Sequence, residues 1–228
     1  MKRAFLPLLL ALGMVISACS ESSTEGSGQV DNPQEQPENP DNGKEDDENK
    51  GDEEQPEAKY KAGEYYKSGL AEGIIAYVDE SGEHGLLISM DEGYTQWSTD
   101  YIMLVVQGGE FSREDGARNT AYIKSQENWD ELYPAVVWCD SKNALGLSSW
   151  YLPAPGELAK AAQHVEAINE TLASMGYDVL VTGVNDGYWS SEEYGVQGAY
   201  AMSMASGDFA DYGHDKKAYN RVRAMRKF

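Results

Sequence analysis

The 228-residue chain has only two cysteines and three histidines. One disulfide at most can form, which excludes a disulfide-dense scaffold. His84, His164 and His214 are scattered, with neither a His-x-x-x-His nor a Glu-x-x-His spacing, and no Gly-x-Ser-x-Gly elbow occurs. Positive charge is scarce: 18 Lys and Arg stand against 39 Asp and Glu, for a net charge of −21. Such a surface makes a poor partner for nucleic acid or anionic lipid headgroups. Long apolar runs are missing too. The one candidate, residues 5–16, is too short to span a bilayer.

That short run sits in a recognisable layout. Lys2 and Arg3 precede it, and Ser17-Ala18 supplies small residues after it, as in a secretory signal over residues 1–18. Ile16-Ser17-Ala18-Cys19 resembles the lipobox of bacterial lipoproteins. The resemblance implies that Cys19 carries diacylglycerol and an N-terminal acyl chain such as palmitate. One acyl chain binds membranes marginally and two or more bind stably, so a triacylated Cys19 would be a firm anchor. Ser20 rather than Asp after the Cys implies an outer-membrane lipoprotein, on the surface or the periplasmic face. Cys139 then has no intramolecular partner. In its apolar setting, residues 135–139, it reads as a small buried hydrophobe rather than a reactive thiol.

Composition divides the rest. Residues 20–59 have Val30 and Ala58 as their only apolar side chains and carry a net −11. Such a segment buries too little apolar surface to offset the entropy of ordering, so residues 19–59 are expected to be a lipidated Cys followed by a disordered acidic tether. All fifteen Tyr and all five Trp lie in residues 60–228. This stretch is long enough for one domain with its own core.

Within it, residues 73–78 and 84–89 read as two strands of a hairpin around the turn at 79–83. Residues 135–139 are a buried run among the strand signals. Residues 188–191, 199–206 and 221–228 read as late strands, the last with Val222, Ala224 and Phe228 inward and Arg221, Arg223 and Lys227 outward. Leu158, Ala161, Val165, Ile168, Leu172 and Met175 form one apolar stripe, predicting a single long helix from Pro155 to a Gly176 C-cap. A shorter helix is predicted over 119–132 with Pro134 ending it. Short strands with one long and one shorter helix argue for α+β.

Several patterns coincide in order along residues 70–228. They are Gly85-Leu86-Leu87-Ile88-Ser89 with Trp97-Ser98, then residues 115–120, Trp138-Cys139, and Trp150-Tyr151-Leu152-Pro153 with Glu157-Leu158. Tyr188-Trp189-Ser190-Ser191 and Arg221-Val222-Arg223-Ala224-Met225 complete the set. Together they resemble bacterial extracellular domains grouped with the C-terminal domain of the Lcl adhesin and the Fibrobacter-type major paralogous domain. The resemblance implies a C-type-lectin-like fold, akin to that of the formylglycine-generating enzyme. That relative's chemistry is not carried over, because it needs a reactive cysteine pair and only Cys139 is present. The calcium-site triplets of sugar-binding lectins are absent, and Asn185-Asp186-Gly187 reads as a turn before a strand. Asp208, Asp211 and Asp215 lack EF-hand spacing and read as solvated loop carboxylates.

No catalytic residue, metal or cofactor is therefore assigned. The expected function is a membrane-anchored, non-catalytic binding module for glycan or protein. Tyr188, Trp189, Tyr194, Tyr200 and Tyr212 are the candidate ligand-binding side chains, because aromatic faces supply rigid contact area. Trp150 and Trp189 also read as core anchors. The alternatives are a structural accessory subunit of a surface fibre or envelope complex, and an unrecognised enzyme.

Overall fold

The computed structural model describes residues 58–105, 110–146, 149–183, 186–205 and 213–228. The signal segment, Cys19, the acidic tether up to residue 57 and Tyr212 lie outside the described residues.

Strands β1 (Tyr65–Ser68), β2 (Ala71–Val78), β3 (Gly85–Ile88) and β9 (Met225–Lys227) form a four-stranded antiparallel sheet in the order β1-β2-β3-β9. The second sheet has the order β4-β8-β5-β6-β7. Its strands are β4 (Gly93–Gln96), β5 (Tyr188–Glu193), β6 (Gly198–Met202), β7 (His214–Asp215) and β8 (Tyr219–Val222). Its pairs are antiparallel except for β5 beside β8. Among the described residues the helices fall in one block between β4 and β5, apart from the strands, so the chain is α+β.

The predicted hairpin forms. Ile74 pairs with Ile88 and Ile75 with Leu87. Ile74 and Ile88 face one core cluster while Ile75 and Leu87 face another, so both faces of this sheet are covered. That is why β2 reads as a continuous apolar run rather than an alternating one.

The helices differ from expectation. The stripe predicted as one long helix is two, α4 (Pro155–Ala162) and α5 (Val165–Ser174). At the break His164 leaves helical geometry (φ −121°, ψ 18°), and its N–H bonds the carbonyl of Ala161 in a tightened turn. Leu158, Ala161, Ile168 and Leu172 are fully buried on both sides of it. The stripe therefore marks the core face correctly but is silent about a bend that keeps this face inward. Met175, placed at the end of the stripe, is exposed. Gly176 does cap the element. Its φ of +79° and the Tyr177 N–H to Leu172 C=O bond of 2.9 Å make a left-handed closing turn.

The shorter predicted helix also divides, into α1 (Gly116–Lys124) and α2 (Trp129–Leu132). Asp115 caps α1 by accepting from Arg118 N–H at 3.1 Å. Pro134 does not simply end this region; it occupies the first turn of α3 (Pro134–Asp140), a position where its missing N–H costs nothing. Residues 135–139, read among the strand signals, are thus helical, with Ala135, Val136 and Cys139 buried. A five-residue apolar run does not distinguish buried strand from buried helix.

The C-terminal stretch read as one strand is two, β8 and β9, which belong to different sheets. Arg223 sits between them and is fully buried, not outward-facing. Its Nε meets Glu92 Oε2 at 3.2 Å, and its two terminal nitrogens donate to the carbonyls of Ser89, Met90 and Asp178. A saturated guanidinium is stable in the interior where a bare one is not.

Glu157 is the other buried tie. Its Oε2 accepts from Ala154 N–H at 2.8 Å and Gly116 N–H at 3.1 Å, and its Oε1 from Tyr151 O–H at 2.8 Å. One carboxylate thus closes the N-termini of both α1 and α4, where helix dipoles favour negative charge. Burial nevertheless raises its pKa, with these donors opposing.

Candidate functional site

Strand β5 begins with Tyr188-Trp189, two of the five aromatic residues expected to face a ligand. Both are buried completely. Tyr188 O–H donates to Glu92 Oε2 at 2.7 Å and its oxygen accepts from Val181 N–H at 3.0 Å. Burial pushes its phenol pKa far up. Trp189 Nε1 donates to the carbonyl of Thr95 at 2.9 Å, and its ring meets His214 edge-on. Neither ring can stack on a ligand in this structure, so that expectation is corrected. The reading of Trp150 and Trp189 as core anchors fits their burial in one core cluster, and Tyr151 is buried in the other. Aromatic residues on a strand covered on both faces have no solvent face to offer.

Further along, β5 loses register with β6 between Trp189 and Glu193. Such an irregularity re-aims side chains. Glu193 is buried, whereas Tyr194 is 47% exposed. Tyr194 packs edge-to-face on half-buried Tyr200, centroids 5.0 Å apart at 75°. The Arg113 guanidinium lies 5.1 Å from the Tyr200 ring, and its Nε is 3.3 Å from Glu192 Oε2. Burial raises the Glu192 pKa while Arg113 opposes it. Gly213 makes room for Tyr194, since a Cβ there would sit 2.5 Å from that of Tyr194. Tyr194, Tyr200, Arg113 and Glu192 thus form a surface cluster of two rings, a cation and a carboxylate. Two of the five expected residues are brought together, two are buried, and Tyr212 is not described.

Beneath this cluster lies a buried ion pair that the sequence did not disclose. Lys216 Nζ donates to Glu193 Oε1 and, at 2.7 Å, to the carbonyl of Ile102. Glu193 Oε2 accepts from Leu104 N–H at 2.9 Å and Val105 N–H at 3.1 Å. Both side chains are wholly inaccessible, and the ammonium stands 4.9 Å from the Trp97 ring. Desolvation lowers the Lys216 pKa, and Glu193 opposes it. The pair fixes the segment 102–105 against the C-terminal end of β5.

Cys139 is buried in α3, and desolvation raises its thiol pKa, which disfavours the reactive thiolate. Among the described residues no group of three or more His, Cys, Asp and Glu side chains converges as a metal site. Asn185, Asp208 and Asp211 lie outside them. Asp186 is taken by Arg221 at 2.7 Å, and Asp215 accepts from Tyr101 O–H at 3.0 Å. An open groove of about 770 Å³ is lined by Thr120, Lys124, Asp140, Asn143, Trp150 and Tyr151, among others. Two of its charges pair with each other, Lys124 Nζ to Asp140 Oδ1 at 2.5 Å, and a third, Lys227, stands 3.6 Å from Asp115. A second exposed ring pair, Tyr94 with Tyr219, was not anticipated. The alternation in Gly93-Tyr94-Thr95-Gln96 and Tyr219-Asn220-Arg221-Val222 carried that signal.

No family model matches the sequence, and no curated protein matches it. One similar solved structure is a fimbrial protein from Bacteroides ovatus, at 18% identity and a TM-score of 0.49. The match covers 63% of this chain and 36% of the fimbrial protein, so this chain spans about a third of that protein's length. Among the described residues no helix is long and apolar enough to cross a membrane.

Proposed function

We propose that this protein is an outer-membrane lipoprotein, anchored through Cys19, whose C-type-lectin-like domain is a non-catalytic module binding glycan or protein. The lipobox-like residues 16–19 support the anchor, and the acidic surface argues against nucleic acid as the ligand. The family resemblance supports the fold. The residues that carry it occupy structural roles throughout the core: Trp150 and Tyr151, Tyr188 and Trp189, and Arg223 are all buried.

The observation that carries the binding reading is the Tyr194–Tyr200–Arg113–Glu192 cluster. An exposed ring braced by a second ring offers contact area with little rotamer entropy left to lose. A neighbouring cation and a half-buried carboxylate add direction. The test is a glycan and mucin array, supplemented with extracellular-matrix proteins and probed with the full chain. Retention of a defined glycan or protein, reduced in Tyr194→Ala and Tyr200→Ala, is the expected result. An empty array, or retention indifferent to both substitutions, contradicts the reading.

A further inference from the structure

The outer face of β4 and β8 carries the other exposed rings. Tyr94 is 65% exposed and Tyr219 56%; Tyr94 is the most exposed large apolar side chain among the described residues. The register sets Tyr94 opposite Arg221 and Gln96 opposite Tyr219. The two tyrosines therefore lie diagonally across the ladder on one face. Their centroids are 5.8 Å apart and their planes differ by 33°. Neither phenol oxygen has a hydrogen-bond partner among the described residues. Beside them Arg221 binds Asp186 and Glu92, at 2.7 and 3.2 Å, in a partly exposed pair of salt bridges. Gln96 Nε2 donates to the carbonyl of Lys217 at 2.7 Å, which fixes the amide at the other end of the strip.

We propose that Tyr94 and Tyr219 form a platform for a neutral polysaccharide, with consecutive pyranose rings stacking on the two phenols. Three features select this occupant. The rings are held by paired strands and slightly splayed, so they present two neighbouring apolar faces to one chain while their hydroxyls stay free for polar contacts. A fully covered tyrosine buries about 150–250 Å², so these two partly exposed rings offer less than that each, well short of the roughly 800 Å² per partner of a stable protein interface. The net charge of −21 repels polyanions, which leaves uncharged glycans favoured. The platform is separate in sequence and strand position from the Tyr194–Tyr200 cluster and does not depend on its role.

The experiment is affinity electrophoresis of the full chain through gels containing a neutral polysaccharide (xylan, mannan, β-glucan or dextran) or an anionic one (polygalacturonate or heparin). Retardation by at least one neutral polymer and by neither anionic one is expected. Tyr94→Ala and Tyr219→Ala should each weaken it about tenfold, equivalent to about 1.4 kcal/mol. Tyr94→Phe should retain most of it, and Leu70→Ala, at an exposed apolar residue outside both ring clusters, should leave it unchanged. Thermal melts of the variants separate lost binding from lost folding. No retardation by any neutral polymer, stronger retardation by an anionic one, or retardation undiminished in folded Tyr94→Ala and Tyr219→Ala overturns the proposal.

Discussion

Arg223 and Glu92 lie 131 residues apart in sequence and meet at 3.2 Å, with the guanidinium wholly buried. The same carboxylate holds Arg221 Nε at 3.2 Å and Tyr188 O–H at 2.7 Å. One side chain just before β4 therefore ties the start of β5 to the junction of β8 and β9. Removing one partner of such a buried pair leaves the other uncompensated, at about 3–5 kcal/mol. Arg223→Leu should lose that much in urea unfolding. Arg223→Lys should rescue little, because an ammonium cannot reproduce the planar fork that reaches Ser89, Met90 and Asp178 together.

Lys216 and Glu193 make the second buried pair, and a double-mutant cycle reads it. Lys216→Met strands the Glu193 carboxylate, and Glu193→Gln strands the ammonium. Each single substitution should cost on the order of 3 kcal/mol, and the double substitution clearly less than their sum. Additive losses would mean that the two side chains contribute independently.

Stability should depend on pH with two opposed slopes. Burial raises the Glu157 pKa in the folded state. Its stabilising contribution is therefore fullest below the ordinary carboxylate value of 4.5 and declines as the pH rises through the higher folded value. Burial lowers the His214 pKa from 6.5, so its contribution is present above that value and lost as the pH falls. Urea midpoints between pH 4 and 8 should show the acid-side loss shrink in His214→Gln. The decline between pH 4 and 7 should shrink in Glu157→Gln.

Burial also predicts which aromatic substitutions damage the fold. Trp189→Ala opens a cavity in a fully packed site and should cost about 3–5 kcal/mol. Tyr194→Ala, on the surface, should stay within about 0.5 kcal/mol. Chemical denaturation of the pair side by side checks this. Equal losses would contradict the assignment of Trp189 to the core and Tyr194 to the surface.

Local patterning carried much of the fold. The hairpin of β2 and β3, the core stripe of α4 and α5 and the glycine cap at Gly176 were legible because each depends on neighbours within a few residues. What was illegible depends on distant chain. Nothing near Arg223 announces that Glu92 and three carbonyls will saturate it, so an alternating pattern placed it outside. Nothing near residues 135–139 decides between strand and helix, and Pro134, expected to end a helix, starts one. The candidate site divided along the same line. Aromatic content pointed to the 188–200 region, but the face each ring takes follows from the covering of both sides of β5 and its loss of register after Trp189. Tyr94 and Tyr219, modest in sequence, are the most solvated rings among the described residues.

The binding account rests on the exposed ring at Tyr194. Its most direct test is titration of an array-identified glycan or protein against the full chain and its Tyr194→Ala variant, followed by calorimetry. A Kd about tenfold weaker in the variant, with an unchanged melting temperature, is predicted. Equal affinities for the two proteins would contradict it.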